Sequence, residues 1–183
     1  MRLRNQIVSV TAAYLARFPG DATALSPLTD LLDDGADVTS RKEFRGHVTC
    51  CGIVIDDAGR FLMIRHRILG SWLFPGGHLE GADVDLRAAA MREVSEETGL
   101  PGDALRGFGQ WFDSAPVQID CHPIPANPAK GEQAHRHMDF RYVFRGAAGA
   151  LSPQFEEVTD CAWFDADRIP AEVHARLQQL ALP

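Results

Sequence analysis

Glu93, Glu96 and Glu97 stand at steps of three and four residues within Phe74 to Pro101, FPGGHLEGADVDLRAAAMREVSEETGLP. On a helix that spacing stacks three carboxylates on one side of about one turn. Like charges so placed repel, and a cation is expected among them. A hard divalent ion such as magnesium takes oxygen ligands and bridges carboxylates to substrate phosphates, so a bound metal would turn the repulsion into coordination. Arg92, next to Glu93 and one turn from Glu96, could hold one carboxylate in a fixed rotamer through a forked hydrogen bond. For three glutamates alone, a solvated acidic helix face is the simpler reading. The surrounding residues have to decide between the two.

The helix that must position these groups can be read from its ends. Asp83 or Asp85 supplies an N-cap oxygen, Gly99 suits the left-handed position past the last turn, and Pro101 bars continuation. The expected span is about Asp85 to Thr98. Leu86, Ala89, Ala90 and Val94 recur at helical steps and make a narrow buried stripe of mostly small residues. Before the helix stands a glycine turn, Gly76-Gly77.

Together these residues resemble the signature of the Nudix hydrolase family: a glycine, five residues, a glutamate, seven residues, then Arg-Glu, an aliphatic, any residue, Glu-Glu, any residue, a glycine and an aliphatic. The second half is matched throughout by Arg92, Glu93, Val94, Ser95, Glu96, Glu97, Thr98, Gly99 and Leu100. The first half is one residue longer than the pattern. Counting forward from Gly77 puts Asp83 in the place of the early glutamate, whereas counting back from Arg92 puts Val84 there. We read this as an insertion at the loop-to-helix junction, with Asp83 substituting. The resemblance implies metal-assisted attack of water on a diphosphate linked to another group. It implies that Gly77, through its carbonyl, and Glu93, Glu96 and Glu97 hold Mg2+ or Mn2+. It also implies that Arg92, Glu93 and Glu97 form the catalytic set, with the base open between Glu93 and an acid from a later loop, for which Glu157 is the candidate.

The chain has 183 residues, 45% of them hydrophobic, which suits one domain with a little left over. A net charge of −7 argues against a general nucleic-acid or anionic-membrane surface, because both need a positive field. No apolar run reaches the length of a membrane span, and the N-terminus lacks a signal-peptide core. Cys50, Cys51, Cys121 and Cys161 show no CxxC spacing, and adjacent Cys50 and Cys51 would point to opposite faces of a strand. Reduced, partly buried thiols in a cytoplasmic protein are expected.

Residues 1–45 read as a helical extension that packs on the main body or on a second copy, which makes a homodimer an expectation. Its second helix is signalled by Ser26 as N-cap, Pro27 and Gly35. The domain proper is expected over residues 46–183. VTCCGIVI (Val48 to Ile55) and RFLMIRHR (Arg60 to Arg67) flank the turn residues Asp56 to Gly59 and suggest a hairpin. Arg65 at the strand end is a candidate phosphate contact, and Trp72 a candidate ring-pocket residue beside its core-packing alternative. Phe108 to Phe112 and Val117 to His122 look like strands. The proline-rich stretch Cys121 to Gln133 reads as a loop with Asn127, Lys130 and Glu132 as candidate contacts.

In HRHMDFRYVF, alternation sends His135, His137, Asp139 and Arg141 to one face of a strand and Met138, Phe140, Tyr142 and Phe144 to the other. The polar face is either solvated or lines the cleft and donates to substrate phosphates. Two histidines at i, i+2 with an aspartate could also take a transition metal, which needs a further ligand. A closing helix is expected at about Ala171 to Leu180. Mixed strands with a signature helix between them and a closing helix fit an α/β/α sandwich with a mixed central sheet.

The functional expectation is a metal-dependent hydrolase acting on a small-molecule nucleoside diphosphate linked to another moiety. A non-catalytic sensor on the same fold should have lost a metal glutamate, and a diphosphate isomerase would want a cysteine near the glycine turn. All three glutamates are present, and no cysteine lies between Cys51 and Cys121.

Overall fold

The computed structural model describes residues 2–128, 131–147, 149, 151–153 and 158–182. Strand β1 (His47–Ile55) is its centre, buried at every position. Continuous burial follows from its neighbours: β1 runs parallel to β6 (His135–Arg145) along its whole length and antiparallel to the short β4 (Gly76–His78). A strand paired on both sides and covered on both faces has no position to leave polar for solvent. Strand β5 (Gln118–Ile124) closes one edge against β6, and Pro123 is tolerated there because an edge strand has one ladder free of it.

The Asp56–Gly59 turn forms the expected hairpin, but β1 and β2 (Phe61–His66) pair only at Ile55 and Phe61. They then part, and β2 takes β3 (Trp72–Leu73) and β7 (Val158–Phe164) as partners. Parting leaves the start of β1 open for β4. That gap brings the glycine turn into the sheet.

Helix α3 (Leu86–Thr98) begins on Asp85, whose carboxylate accepts the Ala88 N–H at 2.7 Å, and ends at Gly99 with φ +75°. Its stripe Leu86, Ala89, Ala90 and Val94 is fully buried. The stripe packs on the even-numbered face of β1 and β6. A Cβ at Gly52 would lie 2.3 Å from a Val94 methyl, so glycine is what lets helix and strand approach. Gly52→Ala is expected to push α3 outward and cost about 2 kcal/mol, the usual penalty of overpacking. A chemical denaturation midpoint unchanged from the parent would show that the contact is relieved by other means.

Helices α1 (Arg2–Arg17) and α2 (Ser26–Asp33) belong to the same body. Ile7, Tyr14, Phe18, Leu25, Leu28 and Leu31 join the core cluster, and the Gln6 side chain accepts the Leu86 N–H at the start of α3. The N-cap of α2 is Leu25, without a side-chain bond, so Ser26 is the first helical residue and not the cap.

Phe108 to Phe112 is not a strand. Gly109, at φ +123°, turns the chain and opens the short helix α4 (Gln110–Ser114). The β-favouring aromatics of this segment serve tertiary packing, with Trp111 under the Arg17 guanidinium at 4.1 Å. Helix α5 (Ala171–Gln179) ends the fold, with Arg176 paired to Asp21 at 2.7 Å. All four cysteines are free, Cys50 and Cys51 buried. No helix among the described residues is long and apolar enough to cross a membrane.

Candidate functional site

Register decides which way each residue of β4 faces. Gly77 lies opposite Cys50 and therefore on the face that α3 covers, while His78 lies opposite Thr49 and faces the other way. A Cβ on Gly77 would sit 2.7 to 2.8 Å from the carboxylate atoms of Glu93, so the absent side chain is what admits that carboxylate against the strand. One turn later, Glu97 is 7% exposed and accepts the Gly76 N–H at 2.9 Å. Two glutamates of the helix are thus pressed onto two consecutive glycines.

Arg92 holds the remaining acids. Its Nε and one terminal nitrogen fork onto Asp83 at 3.0 and 3.2 Å, and that same terminal nitrogen donates to the His78 carbonyl at 2.9 Å. The other terminal nitrogen donates to Glu93 at 2.9 Å and Glu96 at 2.8 Å, with Glu80 at 3.9 Å. Burial works against the guanidinium's charge, yet the bonds to Asp83, the field of Glu93 and the bonds to Glu93 and Glu96 outweigh it and raise its pKa. The cation expected among the glutamates is therefore in part this arginine. One guanidinium cannot neutralise Asp83, Glu93, Glu96 and Glu97 together, and Glu97 also accepts a backbone N–H. The surplus of carboxylate oxygens beside a backbone strand is a donor set that suits a hard divalent cation.

The one-residue insertion is resolved by packing. The Asp83 side chain is 4% exposed, bonded to Arg92 and to the Glu80 N–H at 2.7 Å, whereas Val84 is 53% exposed. Asp83 is the residue that turns inward.

The opposite face of the sheet carries a polar ladder. Thr49, Asp139, Arg141, Gln118 and Asp120 share it. Arg141 donates to Asp139 and Asp120 at 3.0 Å each and to Gln118 at 2.9 Å, and Thr49 donates to Asp139 at 3.1 Å. Burial lowers the Arg141 pKa, but Asp139 and Asp120 reverse that and raise it. Its fork is committed to these partners. The hydrogen bond to His122 is the main reason that Asp120 is held below the usual carboxylate range, with Arg141 adding to it.

At the start of the same ladder, His135 and His137 meet His47 from β1 and His78 from β4. Burial, then the neighbouring Arg41 and His47, lowers His78 to about 4. Burial, then the rings of His78, His47 and His135, lowers His137 to about 2. His47 and His78 were not singled out by sequence. They sit far apart along the chain, and only strand order unites them. The periodicity of HRHMDF was the one available signal.

Arg65 and Trp72 belong to the β2–β3–β7 ladder. They lie opposite one another in the register, Arg65 also facing Asp160, and Trp72 packs edge-on against Phe164 at 4.7 Å. In the loop after β5, Asn127 and Glu132 pair through their backbones, and Glu132 holds Arg41 at 3.1 Å. Lys130 and the candidate late acid Glu157, with its neighbour Glu156, lie outside the described residues.

Among solved structures, the chain is similar to a Nudix-family hydrolase from Clostridium perfringens, with a TM-score of 0.51, 18% identity and coverage of 73% of this chain and 97% of that one. This likeness concerns the fold. In sequence it is 28% identical over 131 residues to a probable DHNTP pyrophosphohydrolase of Lactococcus lactis, covering 69% of this chain and 70% of the relative. It is also 32% identical over 101 residues to an RNA pyrophosphohydrolase of Caulobacter vibrioides, covering 54% of each. A match of 27% identity to the m7GpppN-mRNA hydrolase NUDT17 of Danio rerio covers 87% of this chain but 51% of the relative, so this chain spans about half of that protein's length. The family model described as the NUDIX domain matches residues 45–181, which contain both the glycine turn and the whole of α3. With three-quarters of its length under that match and the signature helix built against the glycine strand, the chain belongs to the Nudix hydrolase family.

Proposed function

We propose that the chain hydrolyses the diphosphate linkage of a small-molecule nucleoside diphosphate joined to another moiety, using Mg2+ or Mn2+. The observation that carries this is the seating of Glu93 and Glu97 against Gly76-Gly77, where Gly77 makes room for a carboxylate that any side chain would expel. The Gly77 carbonyl with Glu93, Glu96 and Glu97 would hold the ion. When bound, such an ion supplies positive charge to the diphosphate oxygens and acidifies a water at neutral pH.

The chain's own residues divide the remaining work. Glu93 is the candidate base, held at one oxygen by Arg92 so that its carboxylate keeps a single orientation. Arg92 positions Glu93 and Glu96 together, and Asp83 positions Arg92 by the side-on fork. Asp83 is too deeply enclosed to meet substrate, so its part is that of a positioning residue. His135, His137, Asp139 and Arg141 fall outside the phosphate-binding set, because Arg141 and Asp139 are bonded to each other and the histidines face away from α3.

The relatives' names support diphosphate chemistry on nucleoside-like substrates. The net charge of −7 favours a small molecule over a nucleic-acid chain. A panel of nucleoside triphosphates, ADP-ribose, dinucleotide polyphosphates, sugar nucleotides and CoA tests the reading. Magnesium-dependent cleavage of at least one is expected. No cleavage of any of them with any divalent ion would instead favour a ligand-sensing role.

A further inference from the structure

We infer that this protein carries a second metal site, an imidazole site for a borderline transition ion of the zinc class, formed by His47, His78 and His137 on the sheet face opposite the glutamates. One nitrogen from each of the three lies within 4.8 Å of the other two. The residues come from β1, β4 and β6, three strands whose register puts His47 beside His137 and turns His78 to the same face. Nitrogen ligands at tetrahedral zinc sit about 3.3 Å apart, given bonds of about 2.0 Å, so small ring rotations close the set around an ion.

His47 is the strongest pointer. It is 1% exposed; its Nδ1 lies 3.2 Å from the Glu43 carbonyl, and its Nε2 is buried without a hydrogen-bond partner. A buried ring nitrogen left unsatisfied is costly. Donation from Nδ1–H to a backbone carbonyl is also the arrangement that leaves Nε2 as a lone pair for a metal. His135 repeats it. Its Nδ1 lies 2.7 Å from the Gln133 carbonyl, and its Nε2 stands 3.2 Å from that of His137, which makes it the nearest candidate for a fourth ligand. Phe44 packs edge-on to His135 at 6.2 Å, and the Arg41–Glu132 pair links the two loops beside the cluster.

The four rings pack against one another with centroids 4.8 to 5.1 Å apart. Burial disfavours the charged forms of His47, His78 and His137, and neutral imidazoles offer each other at most one proton per contact. A metal uses all their lone pairs at once. Imidazole nitrogen suits zinc, copper, nickel and cobalt, and magnesium prefers oxygen, so this site and the glutamates would take different ions. Occupancy here would clamp β4 to β1 and β6. The His78 carbonyl receives Arg92, so the same clamp would steady the arginine that holds Glu93 and Glu96.

The test uses tag-free full-length protein stripped by chelator and then titrated with Co2+, read by its visible spectrum and by metal content after dialysis. About one Co2+ per chain is expected in a tetrahedral-type spectrum, displaced by Zn2+ and unaffected by excess Mg2+. His137→Gln and His78→Gln are each expected to abolish that spectrum, with circular dichroism of the metal-free variants confirming the fold. Glu97→Gln is expected to leave it unchanged, which separates this site from the proposed hydrolytic one. Absence of bound Co2+ in the parent, or binding kept in both histidine variants, would overturn the inference, as would loss in Glu97→Gln alone.

Discussion

Glu97→Gln is expected to lower the magnesium-dependent turnover by at least about a hundredfold, equivalent to about 2.7 kcal/mol of lost transition-state stabilisation. The substitution is nearly isosteric, and the amide keeps an oxygen to accept the Gly76 N–H, so the seating of the helix on β4 survives. What is removed is a negative charge in an enclosed place, 7% exposed, against the glycine strand. If Glu97 holds the cation, its loss weakens both metal binding and the charge stabilisation that the metal provides. Melting temperature without metal should stay within a few degrees of the parent. Glu96→Gln is expected to be milder, since Glu96 is the most exposed of the three and leans on Arg92. Undiminished turnover of Glu97→Gln at saturating magnesium would end the hydrolytic assignment of these carboxylates.

Arg92→Ala should destabilise the fold more than any other change at this site, by about 3 kcal/mol. The reason is the number of charges that depend on it. Asp83 is enclosed and forked to Arg92, Glu93 is nearly as enclosed, and Glu96 shares the same nitrogen. Removing one partner of an enclosed ionic network leaves the others uncompensated, which typically costs 3 to 5 kcal/mol, and partial exposure of the arginine argues for the lower end. For a chain of this size that is a fall in melting temperature of about 6 to 12 °C. Magnesium should raise the melting temperature of the variant more than that of the parent, because the cation then replaces charge the arginine supplied. Arg92→Lys should recover only part of the loss, as an ammonium cannot fork onto Asp83 while bonding the His78 carbonyl. Equal melting temperatures of parent and alanine variant, with equal responses to magnesium, would show that the acids are independent of the arginine.

Some of this organisation was legible in local residue order. Helix α3 announced itself because its cap, stripe and terminal glycine are all local, and local bonds decide helix ends. The alternation in HRHMDFRYVF assigned the faces of β6 correctly because a pleated strand has a period of two whatever its partners. Elsewhere local preference misled. Phe108 to Phe112 looked like a strand on the strength of its aromatics, until Gly109 turned the backbone and Trp111 found Arg17. Ser26 and Leu25 exchanged places at the cap of α2 because the cap there uses no side-chain bond.

The sequence by itself determined the family signature, the three helical carboxylates, the glycines beside them and the sign of the surface charge. These are properties of neighbours along the chain, and spacing of three or four residues needs no tertiary partner to be read. Tertiary structure alone decided that Asp83 and not Val84 turns inward, since one inserted residue leaves both possible until packing buries one. It alone engaged Arg141 with Asp139 and Asp120 and gathered His47, His78, His135 and His137 at one place. Strand order brings such residues together, and the choice of which strands pair is made by the burial of the whole sheet.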